Sequence, residues 1–218
     1  MTIDFYYAPG SGPCRFVELT AKNLGVTLNL KLMDLMHKKD HLTPEFLKIN
    51  PQHCVPTIVD DGFPVWESSV IATYLIQKYG KDDSLYPKDP KKRSVVDQRL
   101  YFNLGVLGQR FSEYYYPMMM GNTPDPTKLQ KLQDSLDILN TFLEGKEYVA
   151  GDSLTVADFG MSATITTLDV VKFDRGAYGN ITRWYSKLKS SVPGFEEVNG
   201  LEKLTAIFDS YRKSKSKQ

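Results

Sequence analysis

The chain has 218 residues, 41% hydrophobic and 24% charged, with a formal net charge of +1. That length allows one domain or two small ones with a sizeable core, and the near-neutral balance argues against a dedicated nucleic-acid binder. Two cysteines make no disulfide scaffold, and no apolar run is long enough to span a bilayer or act as a signal peptide, so the expected setting is the cytoplasm.

Ile3, Phe5, Tyr6 and Tyr7 form an aromatic run that reads as a buried strand, broken by Pro9 and Gly10. Pro13 opens a helical pattern through Phe16, Val17, Leu19 and Ala21 to Leu24, and Gly25 closes it. Leu28, Leu30 and Leu32 alternate with polar residues, as in a half-buried strand. Thr43, Pro44 and Glu45 supply an N-cap, a first-turn proline and a first-turn acid for a short helix to Ile49. Residues 57–59 and 63–66 read as strands joined by the hairpin pair Asp61-Gly62. Glu67-Ser68-Ser69 opens a helix that ends at Gly80. The order is βαβαββα over residues 1–80.

Residues 81–93 are polar, carry two prolines and read as a linker. From there to 218 the periodicity is helical, with no convincing strand. One long helix is expected over 92–118 and another over 127–143. Thr155 to Asp158 has capping-box spacing before an apolar helix to Val171, and two more helices fall near 178–190 and 201–211. The fold class is a small α/β domain followed by an all-α domain.

Three segments can carry chemistry. Ser11 stands at a helix start between Gly10 and Gly12, where a hydroxyl and the positive helix end favour an anion such as a thiolate. Capping alone also accounts for a serine there. No general base is adjacent and no G-x-S-x-G elbow is present, which argues against a hydrolase. Cys14 is the rival, because Ser11-Gly12-Pro13-Cys14 has C-x-x-C spacing with the first cysteine replaced. A position one turn inside the helix favours a structural thiol.

The second segment runs from Asn50 to Thr57 and holds His53, Cys54, Val55 and Pro56. A proline just before a strand suits a cis turn whose preceding backbone pairs with a peptide-like ligand. The third, Glu67-Ser68-Ser69, offers a carboxylate and two hydroxyls at a helix start. Those groups suit the two ends of an amino acid, or ordinary capping. His41 and His53 lie near these segments, and the histidines and cysteines show no metal-ligand spacing.

Together the Tyr-Tyr-x-Pro-Gly-Ser-x-Pro-Cys-Arg start, the Asn-Pro-x-His-x-Val-Pro-Thr centre and the Glu-Ser pair resemble the cytosolic glutathione transferases. The delta class of insects is the nearer match, ahead of the epsilon class. The likeness runs through Leu85-Tyr86-Pro87, Gln98-Arg99-Leu100 and the stretch from Tyr148 to Asp158. It implies a thioredoxin-like N-terminal domain, an all-α C-terminal domain and a homodimer. It also implies glutathione as co-substrate with no further cofactor or metal, conjugated to hydrophobic electrophiles, with peroxidase and dehydrochlorinase side activities.

Residue by residue, the resemblance makes Ser11 the donor to the glutathione sulfur. It sets Val55, with Cys54 beside it and Pro56 cis, against the cysteinyl part. His41 and His53 fall near the glycyl carboxylate, and Glu67, Ser68 and Ser69 at the γ-glutamyl end. The second-substrate pocket draws on Ala8, Pro13, Leu35, Phe111, Tyr116, Met119 and Met120. Three positions depart from the delta pattern: Ser69 stands for an arginine, Asn103 for an aspartate and Gly108 for a tyrosine. The alternative reading is a poorly catalytic carrier of apolar ligands with the same fold. A thiol-redox enzyme using Cys14 is a third.

Overall fold

The computed structural model describes residues 2–119 and 121–215. Strand β1 (Ile3–Tyr7) leads through Ser11 into α1 (Gly12–Leu24), and β2 (Leu28–Leu32) comes next. Helix α2 (Pro44–Ile49), the hairpin β3 (Thr57–Asp60) and β4 (Phe63–Trp66), and α3 (Ser68–Tyr79) complete the first half. The sheet order is β2-β1-β3-β4, with β1 parallel to β2 and antiparallel to β3. Ile3, Phe5 and Ile58 are almost fully buried against Val17, Ala21, Ile71 and Leu75 of α1 and α3.

The expected half-burial of β2 holds at Leu28, which packs against the core of the first half, and fails at Leu30 and Leu32. Leu30 and Leu32 are 53% and 63% exposed although they pair with the inward Phe5 and the half-buried Tyr7. As the edge strand, β2 packs chiefly on β1, and the layer of α1 and α3 does not reach over it.

The second half is helical. Its elements are α4 (Pro90–Phe102), α5 (Gly108–Met119), α6 (Pro126–Phe142), α7 (Val156–Val170), α8 (Gly179–Ser191), α9 (Phe195–Asn199) and α10 (Leu201–Lys215). The single helix expected over 92–118 is α4 and α5, joined without a break by a π-helical turn, Asn103–Leu107. Helix α9 and a 3-10 turn at Asp40–Leu42 were not expected. Each is too short to show a periodic apolar face.

Helix α1 belongs to both cores. Val17 and Ala21 face the sheet, while Phe16 and Leu19 join Phe159, Trp184, Leu136 and Leu168 in the helical core. Asp158 anchors that core. Its buried carboxylate accepts from Val149 N at 2.9 Å, Thr155 N at 2.8 Å, Thr155 Oγ1 at 3.1 Å and Trp184 Nε1 at 2.9 Å. Burial pushes its pKa up and those donors pull against the rise.

Candidate active site

A cavity of about 800 Å³ lies between the two halves and is walled by both. At its floor Ser11 is the N-cap of α1, and its Oγ accepts from Cys14 N at 3.4 Å. Gly10, at φ 78°, makes the turn that delivers it. A hydroxyl can accept twice and donate once. The same hydroxyl faces the Cys14 thiol, on which it also pulls, and Ser11 lines the cavity, so capping does not preclude contact with a ligand. The two sequence readings of Ser11 are therefore compatible.

Cys14 is only 2% exposed, and burial pushes its thiol up to about 11 against weaker opposing pulls, the Ser11 hydrogen bond first. A thiol so protonated near neutral pH is a poor nucleophile. The redox reading loses its reactive group.

The segment from Asn50 to Thr57 is organised by the buried Asn50. Its Nδ2 donates to Thr57 Oγ1 at 2.9 Å and Cys54 O at 3.2 Å, and its Oδ1 accepts from Gln52 N. The Val55–Pro56 bond is cis, as the motif suggested. The rings of His41 and His53 stand 6.2 Å apart, with His53 exposed at φ 46°. His41 Nδ1 is buried and has no hydrogen-bond partner among the described residues.

Glu67 begins α3 at φ 66°, in the left-handed region that non-glycine residues avoid, and its side chain does not cap the helix. It accepts from Gln52 Nε2 at 3.0 Å instead, which ties the two segments together. Ordinary capping therefore does not explain the residue, and strained backbone of this kind gathers at ligand clamps. Ser68 and Ser69, in the first turn, line the cavity.

Of the residues assigned to the second pocket, Ala8, Pro13, Leu35, Phe111 and Tyr116 line the cavity. Met119 ends α5 with its side chain outside what the structure describes, and Met120 lies outside the described residues. His41, His53, Cys54, Val55, Pro56 and Glu67 are not in the cavity wall. Glu67 directly precedes Ser68 and is tied through Gln52 to the segment of His53, Cys54, Val55 and Pro56, with the His41 ring near that of His53.

Sequence reasoning missed the wall from α10, Phe208 and Tyr211, and the contributions of Met33, Met36 and His37. Tyr211 Oη donates to Pro9 O at 3.3 Å, so the last helix closes on the loop before Ser11. Spacing within α10 could have signalled an amphipathic helix but not what it covers.

Asn103, in the π turn, also lines the cavity, and its Oδ1 accepts from Thr164 Oγ1 at 3.0 Å. Gly108 closes that turn by donating its N–H to Asn103 O. A Cβ at Gly108 would lie 2.8 Å from that oxygen, closer than real Cβ contacts come. Among the described residues no group of histidines, cysteines and acids could hold a metal, and no helix is long and apolar enough to cross a membrane.

Known proteins share this arrangement. The model of the glutathione S-transferase N-terminal domain matches residues 5–83, and that of the glutathione S-transferase C-terminal domain matches 116–191. A delta-class glutathione transferase of Nilaparvata lugens is 53% identical with a TM-score of 0.91, over 97% of this chain and 99% of that one. A Bombyx mori glutathione transferase is 42% identical with a TM-score of 0.92, over 97% and 98%. An epsilon-class enzyme of the housefly, Musca domestica, is 39% identical with a TM-score of 0.87, over 96% and 98%.

Proposed function

The chain belongs to the glutathione S-transferase family and is a glutathione transferase, and from that premise we propose that Ser11 holds the glutathione sulfur as a thiolate for attack on hydrophobic electrophiles. The observation that carries this reading is the place of Ser11, in the cavity wall at the start of α1, where its Oγ accepts from Cys14 N. A free thiol has a pKa of about 8.5, so little of it is ionised at neutral pH. A hydroxyl donor and the positive end of α1 both favour the charged form. The sulfur forms the new C–S bond, and the leaving group departs with its electron pair.

The rest of glutathione extends along the neighbouring segments. Val55, beside Cys54 and the cis Pro56, meets the cysteinyl part. His41 and His53 receive the glycyl carboxylate. Glu67 takes the γ-glutamyl ammonium, and Ser68 and Ser69 take its carboxylate. The electrophile occupies the apolar wall of Ala8, Pro13, Leu35, Phe111 and Tyr116. We propose further that the protein is a cytoplasmic homodimer, supported by Phe63, Val70 and Tyr101, apolar side chains that are 59%, 52% and 73% exposed.

Ser11→Ala tests the central point. A hydrogen bond to a charged group contributes about 1.5–3 kcal/mol, so the bound thiol should titrate about one to two units higher and kcat/KM at neutral pH should fall about 10- to 100-fold. Unchanged turnover removes Ser11 from the mechanism.

A further inference from the structure

Arg15 is 3% exposed, yet no carboxylate lies within ion-pair distance of it among the described residues. Its guanidinium is held by neutral acceptors. Nη2 donates to Ala163 O at 3.0 Å and Thr167 Oγ1 at 2.6 Å, and Nη1 donates to Asn199 Oδ1. Thr167 hands its own proton to Ala163 O at 2.8 Å, which leaves its oxygen free to accept from the arginine. Nε has no hydrogen-bond partner among the described residues.

Burying a charge without a counter-charge costs stability, and proteins ordinarily pair such groups. A cation with no directly paired carboxylate, kept in a core, points to work done by its field. The ionisable groups facing it are Glu18 and Cys14 on α1 and Tyr185 on α8. Cys14 and Tyr185 are both held protonated, chiefly by burial. Burial also raises Glu18, on which Lys203 pulls back more strongly than Arg15 does. Glu18 is the carboxylate whose field reaches Arg15, and among the described residues no carboxylate pairs directly with the guanidinium.

Its position makes that field useful. A Cβ on Gly12 would lie 3.6 Å from Arg15 Nη2 and 3.8 Å from Thr167 Oγ1, and Gly12 and Thr167 both line the cavity beside Ser11. The guanidinium therefore stands one residue behind the floor on which the sulfur would rest. Protein rather than water separates the two, so salt screens the interaction little.

We propose that Arg15 is a positioning residue for thiolate formation: a buried cation with no directly paired carboxylate, beneath the start of α1, that lowers the pKa of the glutathione thiol at Ser11. The proposal rests on the Ser11 reading. Arg15 touches neither the sulfur nor the electrophile, and it acts through the wall formed by Gly12 and Thr167. Asp34 and His37 also line the cavity, and Asp34 is held below the usual carboxylate range chiefly by the His37 backbone N–H. Substitutions at Arg15 and Asn199 leave these two residues unchanged, so a difference between variants reports the charge at Arg15.

The test neutralises the cation without removing it. Asn199→Asp keeps the size of the side chain and the hydrogen bond to Arg15, and the neighbouring guanidinium keeps the new carboxyl ionised. The bound thiol is titrated by the ultraviolet absorbance of the thiolate in the enzyme–glutathione complex and by the pH profile of kcat/KM. In Asn199→Asp its pKa should rise by about one unit, a tenfold loss of thiolate, with thermal stability kept or raised. Arg15→Met should give the same rise and Arg15→Lys should not. A folded Asn199→Asp enzyme with the wild-type thiol pKa overturns the proposal, as does a change confined to KM for glutathione. Should Arg15→Met fail to fold, Asn199→Asp alone decides. A wild-type complex with no lowered thiol pKa refutes the Ser11 reading itself, which separates the two failures.

Discussion

Ser11 closes α1 with its oxygen, which accepts from Cys14 N, and in the proposed reading its hydroxyl also meets the glutathione sulfur. Asp158 is the opposite case, an acceptor whose whole purpose is internal. Removing its carboxylate in Asp158→Ala leaves two backbone N–H groups, the Trp184 indole N–H and the Thr155 hydroxyl without their acceptor in the core. Each stranded donor carries a desolvation cost. Loss of so connected a group should lower stability by about 3–5 kcal/mol, measured by denaturant titration. A loss under about 1 kcal/mol would mean that water replaces the carboxylate. The spacing from Thr155 to Asp158 announced the cap in the sequence. The Trp184 bond, 26 positions along the chain, could not be read there. Arg15 was equally opaque, because its sequence neighbours say nothing of Asn199 or Thr167.

Among the elements, the join of α4 and α5 shapes the cavity most. One extra residue in the turn Asn103–Leu107 rotates α5 relative to α4, and Gly108 is the residue that lets Asn103 O approach. Such π turns recur at functional sites. Beyond that oxygen and its carbon, nothing lies within 4 Å of the position a Gly108 Cβ would take. Gly108→Tyr should therefore close the π turn and fill cavity space. For bulky electrophiles kcat/KM should fall about tenfold or more, with small ones little affected. Equal effects on a graded series of electrophile sizes would show that Gly108 does not set the width. Helical periodicity revealed this element but not its defect, since a single five-residue turn is too short for its own spacing to stand out between two helices. The edge strand β2 misled for a related reason. Alternation identifies a strand and the face its leucines share, but it cannot say whether a helix covers that face.

Across the whole molecule, α1 ties the halves into one body, with Phe16 and Leu19 in the helical core and Val17 and Ala21 under the sheet. The apolar side chains left outside, Phe63, Val70 and Tyr101, lie on β4, α3 and α4. Stable homodimers bury such groups in interfaces of about 2,000 Å² or more. Sedimentation at micromolar concentration should give twice the 24.8 kDa chain mass, and Tyr101→Glu should shift the protein toward monomer. A wild-type monomer at that concentration would refute the homodimer. The division into an α/β part and a helical part was legible from the change of period near residue 80. The meeting of the two parts over Ser11 was not, because no pattern within either half encodes it.

The bond from Tyr211 to Pro9 O joins residues 202 positions apart. During synthesis Ser11 leaves the ribosome long before the helix that walls the cavity beside it. Until α10 is made, the cavity beside Ser11 lacks the wall that Phe208 and Tyr211 supply. The pocket closes only when the chain has come nearly full circle.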